Sequence, residues 1–217
     1  MRHLVLLTGL AALLALPAAA QEIPDSCKPK IAGVALALAD EADSAQLQCD
    51  IDRAAIYANR SQALFNFNDE PLVRIVDTGV SLSGAVYVYD VTETDGVMML
   101  DARSVPADMA SANRVPVCRL RIMLSDQVTS RISIALLEAA SPDVPGYAER
   151  VEVVVNPDGS RRSVLLIDSH DVVTTVQTAD GERAFSRNAA QTDRIGTLNQ
   201  TIIGVANISD GWSCLSD

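Results

Sequence analysis

The sequence predicts a mainly β protein: an antiparallel β-sandwich or partly open barrel with one or two N-terminal helices. Three observations lead there. Short runs rich in Val, Ile, Tyr and Thr recur from Leu72 onward. Four Asp-Gly dipeptides, beginning at Asp95, Asp158, Asp180 and Asp210, punctuate those runs, and their uneven spacing marks turn chemistry and no repeat. Helical spacing of apolar residues is clearest before Pro71.

The chain opens with Arg2, an apolar run from Leu4 to Leu16, and Ala18-Ala19-Ala20. This three-part pattern predicts a signal peptide over residues 1–20, cleaved after Ala20. The apolar run is too short for the roughly 20 residues that a membrane-spanning helix needs. Residues 21–70 read as a leader and a helical segment packed on the same domain, and residues 71–217 as the antiparallel β domain. Ile31 to Leu38 supports strand and helix equally. Leu47, Ile51, Ala54, Ala58 and Phe65 lie on one face of a helix expected from Ala45 to Leu64, which Asn68-Asp69-Glu70-Pro71 ends.

Strands are expected over Leu72–Val76, Gly84–Val91 and Val97–Leu100, with Thr92 to Gly96 turning the chain between the last two. Asp101 to Arg114 reads as irregular, with one helical turn around Asp108 to Ala112. Val117–Leu124 alternates cleanly, Cys118, Leu120, Ile122 and Leu124 opposite Arg119 and Arg121. Val128–Leu137 reads as its hairpin partner through Ile132, Ile134 and Leu136. The stretch from Arg150 to Arg187 reads as a four-stranded ladder, central to the sheet because both its faces carry apolar residues. Its first turn, Asn156-Pro157-Asp158-Gly159, has the chemistry of a type I turn followed by a bulge. Thr201 to Ile208 is expected as a last strand, after a polar connection from Asn188 to Asn199 with room for a short helix.

A formal charge of −11, one unit more negative once Arg2 is removed, argues against nucleic acid and anionic membranes, both of which draw affinity from clustered cations. Aromatic residues make up only 4% of the chain, too few for the girdles of a membrane barrel or the platforms of a carbohydrate groove. The four cysteines predict two disulfides in an oxidising compartment. The preferred pairing is Cys27 with Cys49, pinning the N-terminal region, and Cys118 with Cys214, tying the C-terminal tail to the sheet. No Cys-x-x-Cys spacing exists and a single histidine lies beyond the signal region, so neither a metal site nor a cofactor is expected.

That histidine, His170, sits in Asp168-Ser169-His170-Asp171 and is the one catalytic candidate. Adjacent residues point in different directions, so a triad within this segment is excluded, and a general base here requires a non-adjacent partner. Asp168 with Asp171, or Asp180 with Glu182, offer oxygen ligands at turns but match no calcium-binding pattern. Arg161, Arg162, Arg183 and Arg187 are weighed as an anion patch against solvated strand residues paired with Glu152 and Glu182. The leading expectation is an exported, non-catalytic interaction domain, periplasmic or secreted, of a bacterial-type envelope, binding another envelope protein or an extended peptide. The alternatives are an exported hydrolase using His170 or a carboxylate pair, and a small-molecule binder with an internal apolar cavity.

Overall fold

The computed structural model describes Cys27 and residues 39–67, 69–108, 114–148, 151–165 and 170–215. In chain order the elements are α1 (Ala39–Phe65), β1 (Val73–Asp77), β2 (Ala85–Thr94), β3 (Val97–Pro106), β4 (Cys118–Met123), α2 (Asp126–Ala139), β5 (Val151–Val155), β6 (Arg161–Leu165), β7 (Asp171–Thr178), β8 (Gly181–Asn188), α3 (Arg194–Asn207) and β9 (Ser213–Cys214). Seven strands form an open antiparallel sheet in the order β8-β7-β1-β2-β3-β4-β9, and β5 and β6 form a hairpin of their own. The mainly antiparallel β character and the N-terminal helix therefore follow the sequence, while the sheet does not close.

Helices occupy both faces of the sheet. α1 lays Ala54, Tyr57 and Ala58, with Ile51 and Phe65 beside them, on Val76, Val86, Val88, Val105 and Val173. α2 and α3 cover the other face, where Val73, Ile75, Tyr89, Val91, Leu100, Leu120, Val172 and Phe185 form the larger core. The strands' two-residue period sends alternate side chains into these two cores, which is why several strands are apolar on both sides. Asn66 ends α1 in the left-handed region at φ 48°, and Phe67 N–H donates to the Gln62 carbonyl across the last turn at 3.2 Å. The β2–β3 turn has Asp95 at φ 53° and Gly96 at φ 78°, two positive values that suit a tight two-residue hairpin. The β5–β6 turn is the expected type I turn with a bulge: Gly159 at φ 80° donates to the Asn156 carbonyl, and Asn156 N–H pairs back to Ser160.

Four expectations are corrected. Val128–Leu137 is helical, part of α2. Ser125 caps it by accepting from Val128 N–H, and Val128, Ile132, Ala135, Leu136 and Ala139 make a helical stripe toward the core. Its apolar residues satisfy a two-residue period as well, so the cap is the feature that distinguishes the two readings. Thr201–Ile208 is also helical up to Asn207. α3 starts at the Asp193 cap, whose side chain accepts from Gly196 N–H at 2.8 Å, and it buries Ile195, Leu198, Ile202 and Ala206. The stretch from Arg150 to Arg187 is not one central ladder. β5 and β6 leave the main sheet, β8 is an edge strand, and β7 pairs with β1, nearly a hundred residues upstream. That pairing is non-local, so a local pattern does not contain it.

The fourth correction is β3, which continues through Asp101 and Arg103 to Pro106 instead of ending at Leu100. Those two charges are tolerated because a ladder of five charged residues crosses β1 to β4 on the α1 face. Arg74 Nε lies 2.7 Å from Asp90 Oδ1; Arg103 meets Asp90 and lies 3.4 Å from Asp101 Oδ1; Arg119 pairs with Asp101. Phe67 stacks on the Arg103 guanidinium at 4.0 Å. Arg103 is fully buried, and its Nη1 has no hydrogen-bond partner among the described residues. Burial, reinforced by the positive charges of Arg74 and Arg119, pushes its pKa down to about 9.

The two disulfides are those the sequence favoured, Cys27–Cys49 and Cys118–Cys214. The second fixes β9, which pairs with only Cys118 and Arg119, to the end of β4. No helix among the described residues is long and apolar enough to cross a membrane. The signal region, Ile31 to Leu38, most of the Asp108 to Ala112 turn, and Asp168-Ser169 lie outside the described residues.

Candidate functional site

His170 lies where β1 ends and β7 begins. Pairing of Asp77 with Val172 brings the residues after Asp77 against it. Thr78 donates to the Asp171 carbonyl through both N–H, at 3.1 Å, and hydroxyl, at 2.5 Å. His170 Nε2 sits 2.6 Å from Asp77 Oδ1, which also accepts from Gly79 N–H at 3.0 Å. The ring packs directly over Gly79, where a Cβ would fall 2.5 Å from the imidazole Cγ and displace it. The hydrogen bond to Asp77 raises the His170 pKa above its ordinary 6.5; burial opposes the shift, and the charges of Asp77 and Asp171 add to it. Asp77 supplies the non-adjacent carboxylate that a general base requires.

The described residues add no further member of a hydrolytic constellation at His170. Among the described residues, the polar side-chain contact of His170 is with Asp77, and no described Ser, Thr or Cys is bonded to the ring as a nucleophile. A buried acid–hydroxyl pair, Asp50 with Ser186, is built the other way round. Ser186 donates to Asp50 Oδ2 at 2.6 Å and Gln46 Nε2 donates to Oδ1 at 2.8 Å, so the serine proton is held by the carboxylate, with both side chains buried. Burial foremost raises the Asp50 pKa, and the nearby charge of Asp171 raises it further. Asp50 and Asp171 are thus neighbouring acids that are both buried, whereas paired-acid chemistry on a sugar uses carboxylates that face an open groove. Sequence reasoning named His170 and Asp171 but missed Asp50 and Asp77, which arrive from α1 and β1 and share no motif with them.

Two of the four arginines weighed as an anion patch, Arg183 and Arg187, are engaged within the fold. Arg183 donates to the carbonyls of Ala139, Ser141 and Val144 at 2.7–2.9 Å, closing the C-terminal end of α2 where carbonyls lack helical partners. Arg187 is fully buried, donating to the carbonyls of Pro145, Gly146 and Ser186 and pairing with Asp193 at 2.7 Å. A guanidinium in the interior needs such saturation, which leaves neither arginine for an external anion. Arg161 and Arg162 stand opposite Val155 and Val154 in the separate β5–β6 hairpin.

The sheet edges differ in how they are closed. On β8, Ser186 N–H donates to the Gly146 carbonyl at 2.8 Å, and Tyr147 bridges to Ser186, so that edge is partly covered. On β4, Leu215 N–H donates to the Val117 carbonyl and β9 pairs as far as Arg119, after which the partner strand stops. Leu124 N–H turns inward to the Met98 carbonyl. By alternation, the backbone groups of Arg121 and Met123 point outward, with no strand on that side among the described residues. Both side chains are exposed, Met123 to 69%.

Among the described residues, no group of three or more His, Cys, Asp or Glu side chains is arranged to hold a metal ion. No protein-family model, no curated protein and no solved structure shows significant similarity to this chain.

Proposed function

We propose that the protein is an exported, non-catalytic binding domain, periplasmic or secreted, that takes an extended segment of another envelope protein as an added strand on β4. The observation that carries this reading is the outward edge of β4 from Arg121 to Met123, which no described strand pairs. Its outward amides and carbonyls offer the main-chain pairing on which strand addition depends, and the alternating side chains beside them supply selectivity. The Cys118–Cys214 bridge holds β9 at the start of this edge, so an incoming strand meets a fixed template with little ordering cost. The signal-peptide pattern and the two disulfides support an oxidising, extracytoplasmic setting.

Peptides selected from a random extended library against the disulfide-bonded protein test the reading. Amide exchange at Arg121 and Met123 slows in the complex, and Met123→Pro, which removes an outward donor, weakens binding at least about tenfold while leaving the fold intact. Selected peptides that leave both amides unprotected overturn it.

A second reading, an exported hydrolase with His170 as general base, is favoured by the 2.6 Å bond to Asp77. It predicts turnover of an ester or peptide substrate that His170→Ala abolishes without unfolding the protein. An absence of turnover across both substrate classes removes it.

A further inference from the structure

We infer that the outer face of α2 is a self-association surface, which joins two copies of this chain about a two-fold axis. Arg131, Ile134, Ala135 and Glu138 recur at helical spacing along one line of α2 and form one wall of a groove of about 430 Å³ between α2 and α3. Ile134 is 56% exposed and Leu137, three positions along, 77% exposed, whereas Ile132 on the same helix is fully buried. α2 therefore turns two apolar residues, Ile134 and Leu137, to solvent in addition to its core stripe, with the half-buried Ala135 at the border between the two.

The charges at the ends of that line identify what covers it. Arg131 and Glu138 are seven residues apart, two turns, and so lie on the same side of the helix with Ile134 and Ala135 between them. An antiparallel copy of α2 centred on that midpoint sets Arg131 against the partner copy's glutamate and Glu138 against its arginine, and packs Ile134 on the partner copy's alanine. The line is its own complement, which is the requirement of an isologous interface. A chain of formal charge −11 repels its own copies in general, so self-association needs a face on which charges of both signs pair off, and this one supplies it. The groove beside α3, floored by the buried Leu198, gives the partner's helix a seat on each side of the axis. This surface is separate from the β4 edge, so either proposal stands without the other.

Sedimentation of the disulfide-bonded protein over a concentration series tests it. The native chain forms a dimer. Arg131→Glu and Glu138→Arg each oppose like charges at two symmetry-related places and weaken the dimer at least about tenfold. The double variant Arg131→Glu/Glu138→Arg restores the complement and returns the dimer to near-native strength. Both positions are exposed, and circular dichroism verifies that the variants stay folded. A native chain that remains monomeric throughout overturns the proposal. So does a dimer indifferent to either single change, or one that the double variant fails to recover.

Discussion

Asp90 and Arg103 meet inside the sheet, carboxylate against guanidinium, with neither side chain open to solvent. Asp90 also holds Arg74, so its single charge serves two cations, while Arg103 stands between two acids that each have another arginine. The two ends of this contact are therefore unequal. Asp90→Asn leaves Arg74 and Arg103 facing a neutral amide in a dry interior, and is expected to cost roughly 3–5 kcal/mol. Arg103→Met leaves Arg74–Asp90 and Asp101–Arg119 as complete pairs and puts a thioether against Phe67, at a cost below about 1.5 kcal/mol. Urea unfolding of the two variants measures the difference, and equal losses contradict this account of the ladder.

The bond between His170 and Asp77 makes stability depend on pH in a stated direction. Because the folded pKa of His170 is raised, the contribution is complete below its unfolded value near 6.5 and is lost as pH climbs through the folded value. Asp50 acts with the same sign at lower pH. Its folded pKa is raised above the usual carboxylate value, so stability falls as pH rises through that window. Melting temperatures followed from pH 5 to 8 are expected to decline, and Asp77→Asn is expected to flatten the part above pH 6.5. A slope unchanged in Asp77→Asn assigns the dependence to other groups.

Ile132 and Ile134 distinguish a helix from a strand experimentally. A strand would put both on one face, whereas α2 buries the first and exposes the second. Ile132→Ala is expected to cost roughly 2–5 kcal/mol, and Ile134→Ala to stay within about 0.5 kcal/mol in dilute solution. Chemical unfolding of the pair gives the answer directly.

The two disulfides close loops of different length. Cys118 and Cys214 are 96 residues apart and Cys27 and Cys49 are 22 apart, so the first constrains the unfolded chain more. Cys118→Ser/Cys214→Ser is expected to lose about 4 kcal/mol and Cys27→Ser/Cys49→Ser about 3 kcal/mol, read from equilibrium unfolding midpoints. The first pair of changes also frees β9, whose two residues have little other hold on β4, and should speed amide exchange at Leu215.

What the sequence determined by itself is local. The face of α1 through Ala54 and Ala58, the alternation of β4, the positive-φ turns at Gly96 and Gly159, and the number of disulfides all follow from residues within a few positions of one another or from counting, while the pairing of the cysteines was a preference that the fold decided. Tertiary structure decided the rest. Apolar residues in α2 and α3 satisfy more than one period, and packing against the sheet selected the helical one. β3 runs through Asp101 and Arg103 only because Asp90 and Arg119 reach them from neighbouring strands. The partner of His170 comes from β1, 93 positions upstream, and Arg183 and Arg187, which looked available, turned out to be enclosed by carbonyls. Such contacts gain their energy by joining distant segments, so no window of sequence contains them.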